Sequence, residues 1–327
     1  MDSILNTASL AMDKTGLKKD ALAGDVAVVT GGGSNIGLGI SRSLAWLGVK
    51  VVIADINPET GYAAELLINS ENGPDSALFV ETDVSDELSM RSMAEKAYRK
   101  FDKVDILVNN AMDMRLGGQI LKSRIEALDR QYAISTRGAM LAIQLFVPGM
   151  QRRKHGVVTY MSTAFRYPVG PSNYCAAKAA TTSVIMSLAN ELGPVEETGI
   201  SVFTFIPAGI GRMKEFPKDH EPSFDLHIEM PGYGTLIPPE DCGAAMAYAI
   251  SRAPDIHNSG VMIQQVFRQM DWPYPQPETV PTRDFERINE MALSLMFAYM
   301  GPGFPDPKVP LQSINRSDNT EFPFRDE

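Results

Sequence analysis

The stretch "VAVVTGGGSNIGLG", residues 26–39, runs from an unbroken apolar segment through a glycine-rich turn into a helical pattern. Apolar residues at successive rather than alternate positions mark a strand buried on both faces. Glycines at such a turn let the backbone come close to a ligand, and the helix that follows presents unpaired amides and a partial positive charge. Strand, glycine turn and helix in this order form the context of a dinucleotide pyrophosphate site.

The same rhythm continues along the chain. "VKVVIAD", "ALFVETD", "VDILVNN", "GVVTYMS", "ISVFTFIP" and "GVMIQQV" are further apolar runs. Helical segments separate them, among them Ile36 to Leu47 before Gly48 and Pro58 to Asn69 before Gly73, with glycine where a left-handed cap is useful. Repeated strand and helix units require right-handed crossovers, which lay the strands parallel and cover the sheet on both sides. The expected fold class is therefore α/β: a doubly wound, mostly parallel, seven-stranded sheet with helices on both faces.

Three segments fall outside the rhythm. Residues 1–20 read as an N-terminal arm, and residues 21–270 as the main domain, within which 209–240 is a long Pro- and Gly-containing loop with the length of a substrate lid. Residues 271–327 read as a Pro-rich extension with one helix, from Arg283 to Met300, whose Phe285, Ile288, Ala292, Leu295 and Tyr299 share a face.

Composition narrows the partners. With 327 residues and 44% hydrophobic content, the chain can bury one large core. A net charge of −10 and the absence of clustered Lys and Arg argue against nucleic acid and for a small-molecule substrate. No run approaches the roughly 20 apolar residues that span a bilayer, so no membrane partner is expected. The N-terminus also lacks the basic start and apolar core of a secretion signal. Cys175 and Cys242 form neither a disulfide framework nor a metal-ligand spacing, which points to a reducing, cytoplasmic compartment. His220 and His227, seven residues apart in a loop near Glu221 and Asp225, are a poor ligand pattern, and no metal is expected.

Candidate binding residues follow from position. Gly31, Gly33, Ser34, Asn35 and Ile36 form the turn and the helix start, where a pyrophosphate would lie. The second strand ends at Asp55, followed by Ile56, at the distance where an acidic residue accepts bonds from the adenosine ribose. Its carboxylate would repel a 2′-phosphate, which favours NAD over NADP. In "SNYCAAKAA", residues 172–180, Tyr174 and Lys178 stand four apart and so share a helix face. A phenol near its ordinary pKa of about 10 is a poor acid–base group at neutral pH, but a neighbouring ammonium favours its ionised form.

These features, with "TDV" at 82–84, "NNA" at 109–111 and "MS" at 161–162, occur in the order that characterises one family. Over residues 20–266 the chain resembles the short-chain dehydrogenase/reductase family, of the single-domain Rossmann-fold type. The resemblance implies an NAD-dependent oxidoreductase that interconverts an alcohol and a ketone, with Tyr174 as the acid–base residue. It implies that Lys178 supports Tyr174 and holds the nicotinamide ribose, that Asp83 and Val84 meet the adenine, and that Asn110 and Ala111 border the cofactor. Pro207 and Gly209, after the sixth strand, would also border it. A hydroxyl at the end of the fifth strand, Ser162 or Thr163, would orient the substrate oxygen, and Ser135 stands where relatives carry a relay asparagine. Relatives are homodimers or homotetramers, and the small residues of "CAAKAATTSVIMSLANELG" suit close helix packing.

The chain also departs from the family pattern. Asn35 replaces the second motif glycine, Met112 follows "NNA", Ser135 replaces the asparagine, Arg212 stands where a threonine is usual, and "QQVFRQ" follows the last strand. Asparagine tolerates left-handed backbone, so the turn should survive. Arg115, Arg166 and Arg212 would favour an oxygen-rich substrate if they lined the pocket. The departures leave two rival readings open: a non-catalytic dinucleotide-binding protein, and a reductase of C=C or C=N bonds.

Overall fold

In the computed structural model, the seven apolar runs form β1 (Val26–Thr30), β2 (Lys50–Asp55), β3 (Ala77–Glu81), β4 (Ile106–Asn109), β5 (Gly156–Met161), β6 (Ile200–Ile206) and β7 (Ser259–Met262). The structure describes residue 5 and residues 7–116, 120–121, 123–163, 171–207, 209–211 and 237–272. The strands make one sheet in the order β3-β2-β1-β4-β5-β6-β7, and every pairing is parallel. Strand order reverses between β1 and β4, so their carboxyl ends diverge into the crevice where doubly wound sheets hold ligands.

Nine helices lie among the described residues: α1 (Asn35–Trp46), α2 (Pro58–Asn72), α3 (Glu87–Phe101), α4 (Ile125–Tyr132), α5 (Gly138–Arg153), α6 (Ser172–Leu192), α7 (Val195–Thr198), α8 (Pro239–Ser251) and α9 (Ile263–Gln269). Side chains of a strand alternate between faces, and here both faces are covered. Ala27 and Val29 of β1 pack with Leu38, Ile40 and Leu44 of α1 and with α8. Val26 and Val28 pack on the opposite side with Met90 and Met93 of α3, Phe146 of α5 and Ile185 of α6. Two cores on one sheet explain why the strands read as unbroken apolar runs.

One reading is corrected at the last strand. "GVMIQQV" continues as an apolar run, yet β7 stops at Met262 and residues from Ile263 onward are helical. The Gln265 side chain accepts a hydrogen bond from the Met262 amide at 2.8 Å, which caps a helix rather than extending a ladder. β7 has a strand neighbour on one side only, so the sheet does little to hold these residues extended.

The helix that leaves the glycine turn is fixed by close packing. A Cβ added at Gly39 of α1 would lie 2.1 Å from the Pro239 carbonyl oxygen, and one at Gly243 of α8 would lie 2.2 Å from the Gly39 carbonyl carbon. Arg42 of α1 is buried, donates to Glu71 at 3.0 Å and to the Ala8 carbonyl at 2.8 Å, and lies 3.7 Å from the buried Glu240 of α8. The Ala8 amide donates to Glu240 at 2.8 Å, so residues near the N-terminus are tied across α1 and α8. Further along, Lys14 lies over the Trp272 ring at 4.6 Å.

Because neither backbone at this crossing has room to move, Gly39→Ala should lower the unfolding free energy by about 1–3 kcal/mol, the usual effect of overpacking. Urea denaturation measures it, and an unchanged midpoint would contradict the packing described.

Candidate active site

The glycine turn closes around backbone contacts. The Gly31 amide donates to the Ala54 carbonyl at 2.7 Å, and Gly31 adopts φ 64, a conformation that favours glycine. Asn35 stands at φ 43 at the first position of α1, so the asparagine in place of the motif glycine does occupy left-handed backbone. A Cβ at Gly37 would lie 1.9 Å from the Gly31 carbonyl oxygen, which makes this glycine obligatory for the turn to fold back on its helix. Ser34 precedes the helix in extended conformation, and Ile36 packs against the core.

Asp55 links the turn to the end of β2. It is buried, and its carboxylate accepts from the Gly33 amide at 2.9 Å and from the Asn57 amide at 3.0 Å. Ile56 beside it is exposed. At the end of β3, Asp83 accepts from the Ser85 amide at 2.9 Å and from Arg130 at 3.0 Å. Partial burial raises the pKa of Asp83, but the hydrogen bonds from Ser85 and Arg130 outweigh it and hold the carboxyl below the ordinary carboxylate range. Val84 is buried next to it. At the end of β4, Asn110 donates to the Thr30 carbonyl at 3.0 Å and to the Gly31 carbonyl at 3.2 Å, and the Ala111 amide donates to the Thr30 hydroxyl at 3.1 Å. Asn110 thus joins the carboxyl ends of β1 and β4 across the crevice.

Tyr174 and Lys178 lie one turn apart on α6, as their spacing requires. Tyr174 is half-buried, while Lys178 is 3% exposed. The Lys178 ammonium donates to the Met161 carbonyl at the end of β5, with the Tyr160 ring centre at 4.7 Å and the Tyr174 ring centre at 5.6 Å. Burial alone drives its pKa down from 10.5 to about 7. The two candidate hydroxyls separate clearly. Ser162 is buried with its Oγ 2.6 Å from the Thr182 Oγ1, whereas Thr163 is partly exposed.

Ser135 lies in a single π-helical turn, Ala133–Arg137, between α4 and α5. Such turns occur often at functional sites. Its buried hydroxyl lies 3.0 Å from the Tyr160 hydroxyl and 2.9 Å from the Thr181 hydroxyl, so its described partners belong to the strand and helix behind Lys178.

Several residues in or beside this site gave no signal in the sequence. Gln131 donates to the Asp113 carbonyl at 2.9 Å and Asn173 to the Leu116 carbonyl at 3.2 Å, so two buried amides hold the segment after Met112. Neither belongs to a motif; only proximity in the fold shows their use. After β6, Pro207 and Gly209 are partly exposed, and the Gly209 carbonyl accepts from the Ile237 amide at 2.8 Å, which closes the base of the 209–240 segment. Residues 212–236 of that segment, with Arg212, His220 and His227, lie outside the described residues, as do Arg166, the Arg115 side chain and the helix expected from Arg283 to Met300. At the opposite end of the strands, Asp25, Asp105 and His155 bring their ligand atoms within 4.8 Å of one another. Asp105 is already paired with Lys103 at 2.8 Å and Arg153 at 3.1 Å, which makes this cluster an ion-pair knot.

Comparison with known proteins agrees with this geometry. The family model for short chain dehydrogenase matches residues 25–215. An uncharacterized oxidoreductase of Thermotoga maritima is 36% identical over 173 residues, which are 52% of this chain and 66% of that protein. Short-chain dehydrogenase reductase 5 of Arabidopsis thaliana is 33% identical over 192 residues, 58% of this chain and 71% of its own. The 2,5-dichloro-2,5-cyclohexadiene-1,4-diol dehydrogenase LinX of Sphingobium indicum is 32% identical over 191 residues, 58% of this chain and 74% of its own. The chain belongs to the short-chain dehydrogenase/reductase family, whose members are oxidoreductases that use a nicotinamide dinucleotide.

The buried lysine has a consequence for stability. Between pH about 7 and 10.5 the folded protein holds fewer protons on Lys178 than the unfolded chain, so this group's contribution to stability rises with pH across that window. Below it, the full cost of burying the charge stands. Lys178→Met should therefore stabilise the protein at acidic pH by about 1–4 kcal/mol, with the gain shrinking as pH rises. Paired urea titrations measure this, and a loss of stability at acidic pH would contradict it.

Proposed function

We propose that the protein is an NAD-dependent dehydrogenase or reductase that moves a hydride between the nicotinamide and an alcohol or ketone. The observation that carries this reading is the Lys178 ammonium, buried at the carboxyl end of β5 with the Tyr174 ring over it and the β1/β4 crevice alongside.

The residues present suit the cofactor. The turn from Gly31 to Asn35 leaves no room for a Cβ at Gly37 and offers helix-terminal amides, as a bound pyrophosphate needs. Asp55 is held rigidly by two backbone amides, and its fixed negative charge suits ribose hydroxyls and opposes a 2′-phosphate. When bound, the nicotinamide supplies the hydride donor or acceptor.

The chain's own residues do the rest. Tyr174 gives or takes the proton of the substrate oxygen, and the ammonium of Lys178 favours the phenolate that this exchange requires. Since the Ser162 hydroxyl is engaged with Thr182, the hydroxyl that orients the substrate oxygen falls to Thr163. The apolar side chains Ile125, Tyr132 and Met140, exposed along α4 and α5, favour a homodimer or homotetramer, and the two free, buried cysteines accord with a cytoplasmic setting.

Screening alcohols and ketones with NAD and NADH identifies a turnover assay. In that assay Tyr174→Phe should lower kcat by about 100-fold or more, the range for loss of a general acid–base. Thr163→Ala should lower kcat/KM by about 100-fold, while Ser162→Ala acts mainly on stability. Full activity in Tyr174→Phe would refute the mechanism. Calorimetry should show NAD binding at least about 10-fold tighter than NADP, a gap that Asp55→Asn narrows; equal affinities would refute the cofactor choice.

A further inference from the structure

A lysine ammonium removed from water needs replacements for its lost hydration. For Lys178 the described hydrogen-bond acceptor is one backbone carbonyl, that of Met161, and no carboxylate pairs with it among the described residues. The other partners are aromatic faces. The Tyr174 ring centre, at 5.6 Å, is the more distant and belongs to the half-buried reacting residue. The Tyr160 ring centre, at 4.7 Å, is nearer, and Tyr160 is 1% exposed. A cation over a desolvated ring within this range is attracted by the ring's negative face.

The hydroxyl of Tyr160 is not free to act as a second acid or base. Burial pushes its pKa well above the ordinary phenol value. Instead, the hydroxyl is the end of a chain: Tyr160 to Ser135 at 3.0 Å, Ser135 to Thr181 at 2.9 Å, and Thr181 donating to the Ala177 carbonyl at 2.8 Å. With the Thr181 hydrogen on Ala177, Ser135 donates to Thr181 and Tyr160 donates to Ser135. Thr136 joins the same node, 3.0 Å from Thr181. This chain ties β5, the π turn and α6 together.

Among the described residues, the other groups near the ammonium are neutral. Tyr174 and Cys175 lie on α6, where burial raises the Cys175 thiol to about 11. The π turn supplies Ser135 and Thr136, and Asn109 and Asn110 at the end of β4 line a cavity of about 10 Å³ against Tyr160.

We propose that Tyr160 is a positioning residue for Lys178: its ring face carries the buried ammonium, while the Ser135–Thr181 hydroxyl chain satisfies the buried phenol hydroxyl. The catalytic consequence rests on the proposed Tyr174–Lys178 chemistry, because an ammonium that survives burial is what acidifies Tyr174. Ser135, at the position where relatives carry a relay asparagine, then serves as the partner of the buried Tyr160 hydroxyl.

The test is a pH titration by NMR of the full-length protein, with lysine isotope-labelled at Cε and the Lys178 resonance identified by its loss in Lys178→Met. Tyr160→Phe keeps the ring and should leave the Lys178 midpoint within a few tenths of a unit of the wild type. Trifluorophenylalanine at position 160 keeps the shape but empties the ring face of negative charge, and should lower the midpoint by about one pH unit. Tyr160→Met should shift it in the same direction. A trifluorophenylalanine midpoint equal to or above that of Tyr160→Phe would overturn the proposal. So would a full downward shift in Tyr160→Phe alone, since the hydroxyl chain and not the ring would then carry the ammonium. The titration uses neither substrate nor cofactor, so its result is independent of turnover. Failure to bind NAD or to turn over any substrate would instead count against the proposed function.

Discussion

A lysine side chain held out of water is the constraint on which the rest of the site depends. Lys178 sits at the junction of β5 and α6 with 3% of its surface exposed, and burial disfavours its charged form. Such a group persists only where the fold over-determines it. Here a strand-end carbonyl, two tyrosine rings and a chain of buried hydroxyls fill its surroundings.

The remainder of the fold brings a crevice to that charge. The all-parallel sheet sets the carboxyl ends of β1 and β4 apart, and Asn110 spans them through the Thr30 and Gly31 carbonyls. Asp55 holds the glycine turn from the side of β2. The near contact of α1 with α8 through Gly39 and Gly243 prevents the helix after the turn from shifting, and Arg42 ties both helices to the N-terminal segment. Elements away from the crevice therefore determine where its lining residues lie. The family provides oxidoreductase chemistry and a nicotinamide dinucleotide; particular side chains adapt that plan in this chain.

Legibility in the sequence divided along physical lines. Strands buried on both faces leave unbroken apolar runs, so the sheet could be read almost strand by strand, and the glycine turn, Asp55 and the Tyr174–Lys178 spacing are local signals with local causes. β7 was overextended because "IQQV" suits strand and helix alike, and a side-chain cap at Gln265 decides between them. Tyr160 was invisible for a different reason: within "GVVTYM" it is one more large residue in a buried strand, and its importance arises only when α6 lays Lys178 across its ring. Gln131 and Asn173 are similar cases, polar residues whose use depends on a segment that folds back to meet them. Position alone narrows the hydroxyl at the end of β5 to Ser162 or Thr163, and the contact of Ser162 with Thr182 has no trace in the sequence.

In the proposed function a single crevice receives the dinucleotide, with its adenosine on Asp55 and its nicotinamide beside Tyr174 and Lys178. A crystal structure of the full-length protein grown with NAD tests this most directly. The adenosine ribose should lie on the Asp55 carboxylate, the pyrophosphate over the N-terminus of α1, and the nicotinamide ribose on Lys178. A cofactor bound elsewhere, or one reversed so that the nicotinamide lies at Asp55, would contradict it.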